Sequence, residues 1–129
     1  FRVLDANFNR AKEGLRVCED IARFVLDQKG NTQKYKAIRH ELSNACSLVF
    51  KNQCIGARSI ETDVGKATTP LELKRKTVRD IFYANSQRVK ESVRVLEEFF
   101  KLIDSKQALA LKNIRYKVYA LERKVFEKI

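Results

Sequence analysis

At 129 residues the chain can bury one hydrophobic core but not two, so a single domain over residues 1–129 is expected. Lys and Arg outnumber Asp and Glu by 27 to 16, a net charge of +11, which turns attention from cationic ligands to nucleic acid, acidic membrane surface or phosphorylated metabolites. Cys18, Cys46 and Cys54 form no CxxC pair, apolar runs are only a few residues long, and Phe1-Arg2-Val3-Leu4-Asp5 has no secretory pattern; a zinc site, disulfide framework or membrane span is unsupported and a reduced, cytoplasmic protein is expected.

In chain order, the first element is a helix that places Asn7, Gly14, Cys18, Ile21 and Val25 on one face. A second helix carries Tyr35, Ile38, Leu42, Ala45 and Val49 at helical spacing, with Asn31 after Gly30 as its expected cap. From Lys51 to about Lys76 no long helical stripe occurs, and a connection of that length in a compact domain is usually functional. Its stretch Arg58-Ser59-Ile60-Glu61-Thr62-Asp63-Val64-Gly65-Lys66 offers carboxylate, cations, hydroxyls and a free glycine, the make-up of a loop that covers a ligand. Thr69-Pro70-Leu71-Glu72 reads as the start of a short helix, Thr77 with Asp80 as a capping box opening the third long helix, and Ser105 as the cap of the fourth. The fourth repeats its apolar residues at Leu111, Ile114, Val118, Leu121 and Val125. Nothing alternates convincingly with period two, so the fold class is all-α.

The chain contains its own duplicate. Residues 6–20, ANFNRAKEGLRVCED, align with residues 84–98, ANSQRVKESVRVLEE, at a constant offset of 78: Asn7 falls on Asn85, Arg10 on Arg88, Glu13 on Glu91, Arg16 on Arg94 and Glu19 on Glu97. Asp20 meets Glu98 as a conservative acidic pair, and Lys36-Ala37-Ile38-Arg39-His40 echoes Lys112-Asn113-Ile114-Arg115-Tyr116. The expected architecture is a helical bundle of two hairpins related by a pseudo-two-fold axis: repeat one over about 3–50, the loop over about 51–76, and repeat two over about 77–129.

Polar residues stand where the helical projection calls for apolar ones. Asn7 and Asn85 lie on the apolar stripes, Arg10 and Arg88 about 60° to one side, and Glu13 and Glu91 a further 60° round. Either the amides bond each other or Glu side chains in a buried network, or Asn7, Arg10 and Glu13 with their copies line a shared cavity whose occupant is an anion. Gly14 and Ser92 would leave room for it. Arg16, Arg94, Asp20 and Glu98 read more simply as solvated faces with charge pairs at helical spacing. His40, the only histidine, reads as a phosphate contact or as a structural partner of a carboxylate. Without GxxxxGK[ST] or GxGxxG, any phosphate must be held by Arg and Lys side chains and helix ends.

LDANFNRAKEGLRVCEDIARF, IRHEL, the DVG of Asp63 to Gly65, and ANSQRVKESVRVLEEFFKL together resemble the small monofunctional hydroxymethylpyrimidine phosphate kinases of bacterial thiamin synthesis, found alone or fused to thiamin phosphate synthase. Cys18 and Lys66 are small departures from that family's pattern. The resemblance implies ATP-dependent phosphorylation of 4-amino-5-hydroxymethyl-2-methylpyrimidine phosphate to its diphosphate, without action on the bare alcohol, and a functional link to thiamin phosphate synthase. ATP and Mg²⁺ are the expected cofactors. On that basis Arg10 and Arg88 are the expected catalytic clamp, with Arg16, Arg39, His40, Arg58, Gly65, Arg94 and Arg115 binding substrate or nucleotide. Asn7 or Asn85 would read the aminopyrimidine, Glu13, Asp63 and Glu91 are candidate Mg²⁺ ligands, directly or through water, and Asp20 and Glu98 join as motif members.

The rivals are a basic helical nucleic-acid-binding module, a helical enzyme acting on a dicarboxylate as chorismate mutases do, and a purely structural bundle. Against the first stands the inward placement expected of Asn7 and Arg10, so no nucleic-acid partner and no membrane partner is expected. Apolar surface at Phe82, Tyr83, Phe99 and Phe100 would suit a homodimer.

Overall fold

Four stretches of helical period should yield four long helices, and they do. The computed structural model describes residues 1–49 and 53–129, except the side chains of Leu48, Leu71 and Glu72. The helices are α1 (Arg2–Asp20), α2 (Lys29–Val49), α4 (Val78–Phe100) and α5 (Ser105–Phe126), with α3 (Ile55–Ala57) a single turn in the connection. No strand occurs among the described residues. Each hairpin, α1–α2 and α4–α5, packs on the other through α1 against α4 and α2 against α5. The resulting bundle has one core, centred on Leu15, Tyr35, Leu42, Phe82, Val93, Leu96, Phe100 and Leu111.

The duplication persists in detail. Asn7 Nδ2 donates to the Val3 carbonyl and Asn85 Nδ2 to that of Ile81, at equivalent places in the two copies. The turns differ, because the matching ion pairs span 20 residues in the first hairpin and 18 in the second. The first absorbs its extra length in a π turn over Ile21–Val25, where the Leu26 amide reaches the Ile21 carbonyl, and in Asp27, held at a φ of 52°.

The capping box at Thr77 and Asp80 forms as expected, and the backbone N–H groups of Lys76 and Thr77 hold the Asp80 carboxyl below its usual range. The Thr69-Pro70 signal yields a 3₁₀ turn over Pro70–Leu73. Two caps shift. Asp104, not Ser105, caps α5 through the Lys106 amide, and α2 begins at Lys29, so Asn31 lies inside it and bonds the Gln28 side chain. Phe82 and Phe100 are fully buried, which leaves only Tyr83 and Phe99 of the four aromatic residues expected at a dimer surface. Lys51 and Asn52, the first residues of the expected loop, lie outside the described residues; from residue 58 to 69 the backbone is irregular.

Candidate functional site

The helical projection locates the polar seams once the centre of each buried stripe is known. On α1 the buried residues run from Gly14 through Asn7, Ala11, Leu4, Leu15 and Phe8 to Glu19 and Asp5. With Asn7 at zero, that stripe is centred near 60°, because α4 covers one flank and α2 the other. Asn7 is thus an edge residue of the stripe and Arg10 lies roughly 120° from its centre. α4 repeats the pattern: Ser92, Leu96, Val89, Phe82, Val93, Ser86, Glu97 and Lys90 are buried, and Arg88 is not.

Arg10 and Arg88 are accordingly exposed on α1 and α4, and neither makes an ion pair among the described residues. The expectation that they point inward with Asn7 and Asn85 into a shared cavity is corrected. Each amide donates to a carbonyl of its own helix, and no hydrogen bond joins the two among the described residues. Nor does Gly14 leave room for a ligand: a Cβ there would stand 2.9 Å from the Asn85 carbonyl oxygen and 2.7 Å from Val89 Cγ2, so the space is occupied by α4. Ser92, its counterpart, is buried and donates to the Arg88 carbonyl.

The polar groups instead gather along the seam inside each hairpin. Arg39 Nε donates to Glu19 at 3.0 Å between α2 and α1, and Arg115 Nε to Glu97 at 2.9 Å between α5 and α4. Both glutamates are buried, at 5% and 4% exposure. Arg16 and Arg94 join the same carboxylates from one turn away, at 3.6 and 3.9 Å. In each copy, then, a buried carboxylate orients one guanidinium and leans on a second, more exposed one. Donation to the Glu97 carboxylate raises the Arg115 pKa above the ordinary guanidinium value. Glu19 and Glu97 are in the aligned repeat but carry no role in the sequence reading; their 120° position shows as buried only when the second helix of the hairpin is in place.

In the second copy this seam opens into a groove of about 470 Å³ lined by Gln87, Lys90, Glu91, Arg94, Arg115 and Tyr119. Lys90 is nearly buried, bonds Glu122 at 2.8 Å and lies 4.7 Å from the Tyr119 ring centre. Glu91, Arg94 and Arg115 thus line one groove. Glu98 faces outward and bonds Arg94 and Lys101, the latter holding its carboxyl below the usual range. Asp20, Glu13 and His40 are exposed. A second groove, about 300 Å³, lies between α2 and α5 over Ile38 and Leu121, where Lys34 and Lys124 approach closely enough to depress the Lys34 pKa.

The connecting segment is tied to the first hairpin by Arg58, whose Nε and Nη2 donate to the two oxygens of Asp5 at 2.8 and 2.7 Å. Asp5 is buried and also accepts from Asn9, so Arg58 holds a carboxylate where the resemblance implied a phosphate. Asp63 accepts from the Gly65 amide at 2.9 Å, a local turn that uses both expected ligand contacts on each other. No three His, Cys, Asp or Glu side chains are arranged to hold a metal among the described residues, so Glu13, Asp63 and Glu91 do not form one magnesium-binding set. The cysteines are buried and free; burial pushes Cys18 and Cys46 up to about 12. The buried Tyr35 hydroxyl lies against Cys18 without completing a hydrogen bond, and burial raises its pKa as well. No described helix is long and apolar enough to cross a membrane.

Fold and seams define an all-α domain built from a doubled hairpin, with an oriented pair of guanidinium groups in each half. The ThiD2 family model matches residues 2–124, and the chain belongs to that family. It is similar to the thiamine-phosphate synthase of Rhodopirellula baltica, at 39% identity over 125 residues covering 96% of this chain and 33% of the relative. The thiamine-phosphate synthase of Synechocystis is 41% identical over 122 residues, 94% of this chain and 34% of the relative, and that of a Synechococcus is 39% identical over 127, 98% and 35%. The chain therefore spans about a third of the length of the curated relatives it matches. No solved structure gives a significant match.

Proposed function

We propose that this domain serves thiamin biosynthesis by transferring the γ-phosphoryl group of ATP to the phosphate of 4-amino-5-hydroxymethyl-2-methylpyrimidine phosphate, giving the diphosphate and ADP. The observation that carries the reading is the repetition of the Glu19–Arg39 and Glu97–Arg115 pairs, each with a further arginine beside it. Two equivalent guanidinium pairs suit a reaction with two phosphate-bearing substrates.

The chemistry asks for little else. An oxygen of the acceptor phosphate forms the new bond to the γ-phosphorus as the bond to the β,γ-bridging oxygen breaks, and that oxygen leaves on ADP. A phosphate monoester is mostly dianionic at neutral pH, so the acceptor needs no strong base. Positioning and charge neutralisation dominate such transfers, and oriented arginines supply both. Held by a carboxylate on one edge, Arg39 and Arg115 keep remaining N–H donors for a phosphate. A magnesium ion fits these residues only as one carried on nucleotide phosphates and completed by a single carboxylate such as Glu13 or Glu91, where it would neutralise charge on the transferred group. Rejection of the unphosphorylated alcohol follows from the arginines it would leave unmatched.

A second reading keeps some support, because exposed Arg10 and Arg88 would suit a nucleic-acid backbone as well as a metabolite. Against it, Arg58 and Lys90 are already matched by the carboxylates of Asp5 and Glu122. ³¹P NMR of the protein with ATP, Mg²⁺ and the pyrimidine monophosphate separates the two: appearance of the diphosphate resonances is expected. No turnover, with RNA binding that weakens steeply in salt, would favour the rival.

A further inference from the structure

We infer that the two copies have diverged into different sites: the α4–α5 groove takes the aminopyrimidine monophosphate, and the α1–α2 seam takes the nucleotide's phosphates. The assignment rests on the proposed kinase reading and adds to it a division of labour between copies. Three differences at equivalent positions carry it.

The first is aromatic. Tyr119 lines the second groove, with Tyr116 6.4 Å away between ring centres, while the first copy has Ser43 and His40 in their places. A flat heteroaromatic ring gains stacking on Tyr119 and has no such platform in the first copy. The second is the state of an amide. Gln87 lines the groove with no side-chain hydrogen bond among the described residues, so its carbonyl and NH₂ can meet a ring nitrogen and its adjacent amino group together. Its counterpart Asn9 is already spent, donating to the carboxylate and the carbonyl of Asp5.

The third difference is charge. Lys90 is matched by Glu122, but the position equivalent to Glu122 in the first copy is Cys46, and Lys12 has only the Phe8 ring, 5.0 Å from its Nζ. Lys12 makes no ion pair among the described residues, so the first seam is the more cationic and suits the longer, more highly charged phosphate chain. The Arg58–Asp5 pair anchors the irregular connecting segment to that same hairpin, beside Asn9.

The test measures binding of each ligand separately, by calorimetric titration with the pyrimidine monophosphate and with a non-hydrolysable ATP analogue plus Mg²⁺. Gln87→Ala and Tyr119→Ala are expected to weaken the pyrimidine by about tenfold or more and to leave the nucleotide within about twofold. Lys12→Ala is expected to do the reverse, and Tyr119→Phe, which keeps the ring, to retain pyrimidine binding. Tyr119 is 46% exposed, so its replacement does not open the core. If the wild-type protein makes the diphosphate but Tyr119→Ala weakens the nucleotide and spares the pyrimidine, or weakens both alike, the assignment fails while the kinase reading stands. If the wild-type protein makes no diphosphate, the kinase reading itself fails and takes the assignment with it.

Discussion

Arg115 reaches its place in the groove because a buried carboxylate fixes one edge of its guanidinium before any ligand arrives. Glu97 is 4% exposed, and removing its charge leaves a guanidinium only 12% exposed in its side chain without a counter-ion. Breaking such a pair from one side costs about 3 kcal/mol, more than the pair contributes relative to an apolar replacement. Glu97→Gln and Glu19→Gln are therefore each expected to lower unfolding stability by about 3 kcal/mol in urea titrations, discounted where water reaches the arginine. Unchanged midpoints in both would mean that the carboxylates do not hold the seams. Arg39 and Arg115 were legible in the sequence as motif members, whereas the importance of Glu19 and Glu97 was not. A projection of one helix cannot say which of its polar flanks a second helix will cover, and that choice buried the glutamates and left Arg10 and Arg88 in water.

At the level of elements, period together with the internal duplication located all four long helices, and the capping box at Thr77 and Asp80 formed as its residue types require. Cap positions moved at α2, which begins at Lys29 and so takes Asn31 inside it, and at α5, where Asp104 caps in place of the neighbouring Ser105. Gly14 marks the contact that projection misread as empty space. Since a Cβ there meets backbone as well as Val89, the crossing of α1 and α4 cannot relax by a side-chain rotation alone. Gly14→Ala is expected to destabilise by about 1 to 3 kcal/mol in thermal or chemical unfolding, despite the gain in helix propensity. A more stable variant would show that the two helices are not in such close approach.

Across the whole molecule, the pseudo-two-fold axis passes between α2 and α5, and Glu41 and Lys117 mark it. They occupy the same position in the two copies, yet bond each other at 2.9 Å. Identical residues there would set like charges face to face, so the duplicated chain has a pairing that two identical hairpins could not make. Both side chains are about half exposed, which limits the pair to about 0.2 to 1 kcal/mol. Lys117→Glu should cost up to about 1 kcal/mol, and the double variant Glu41→Lys with Lys117→Glu should recover most of it in a double-mutant cycle. No recovery would remove the direct contact. The duplication itself was plain in the sequence; that it yields two seams and not one shared cavity depends on which stripe each hairpin buries against the other.

The seam arginines and the arginines without an ion pair among the described residues differ in what they contribute to kcat/KM for the pyrimidine monophosphate. Each charge-assisted bond to a phosphate contributes about 1.5 to 3 kcal/mol, so Arg16→Ala and Arg94→Ala are expected to lose about 10- to 150-fold, with Arg10→Ala and Arg88→Ala within about threefold of wild type. Full activity in the first two variants with loss in the second two would contradict the placement of the site in the hairpin seams.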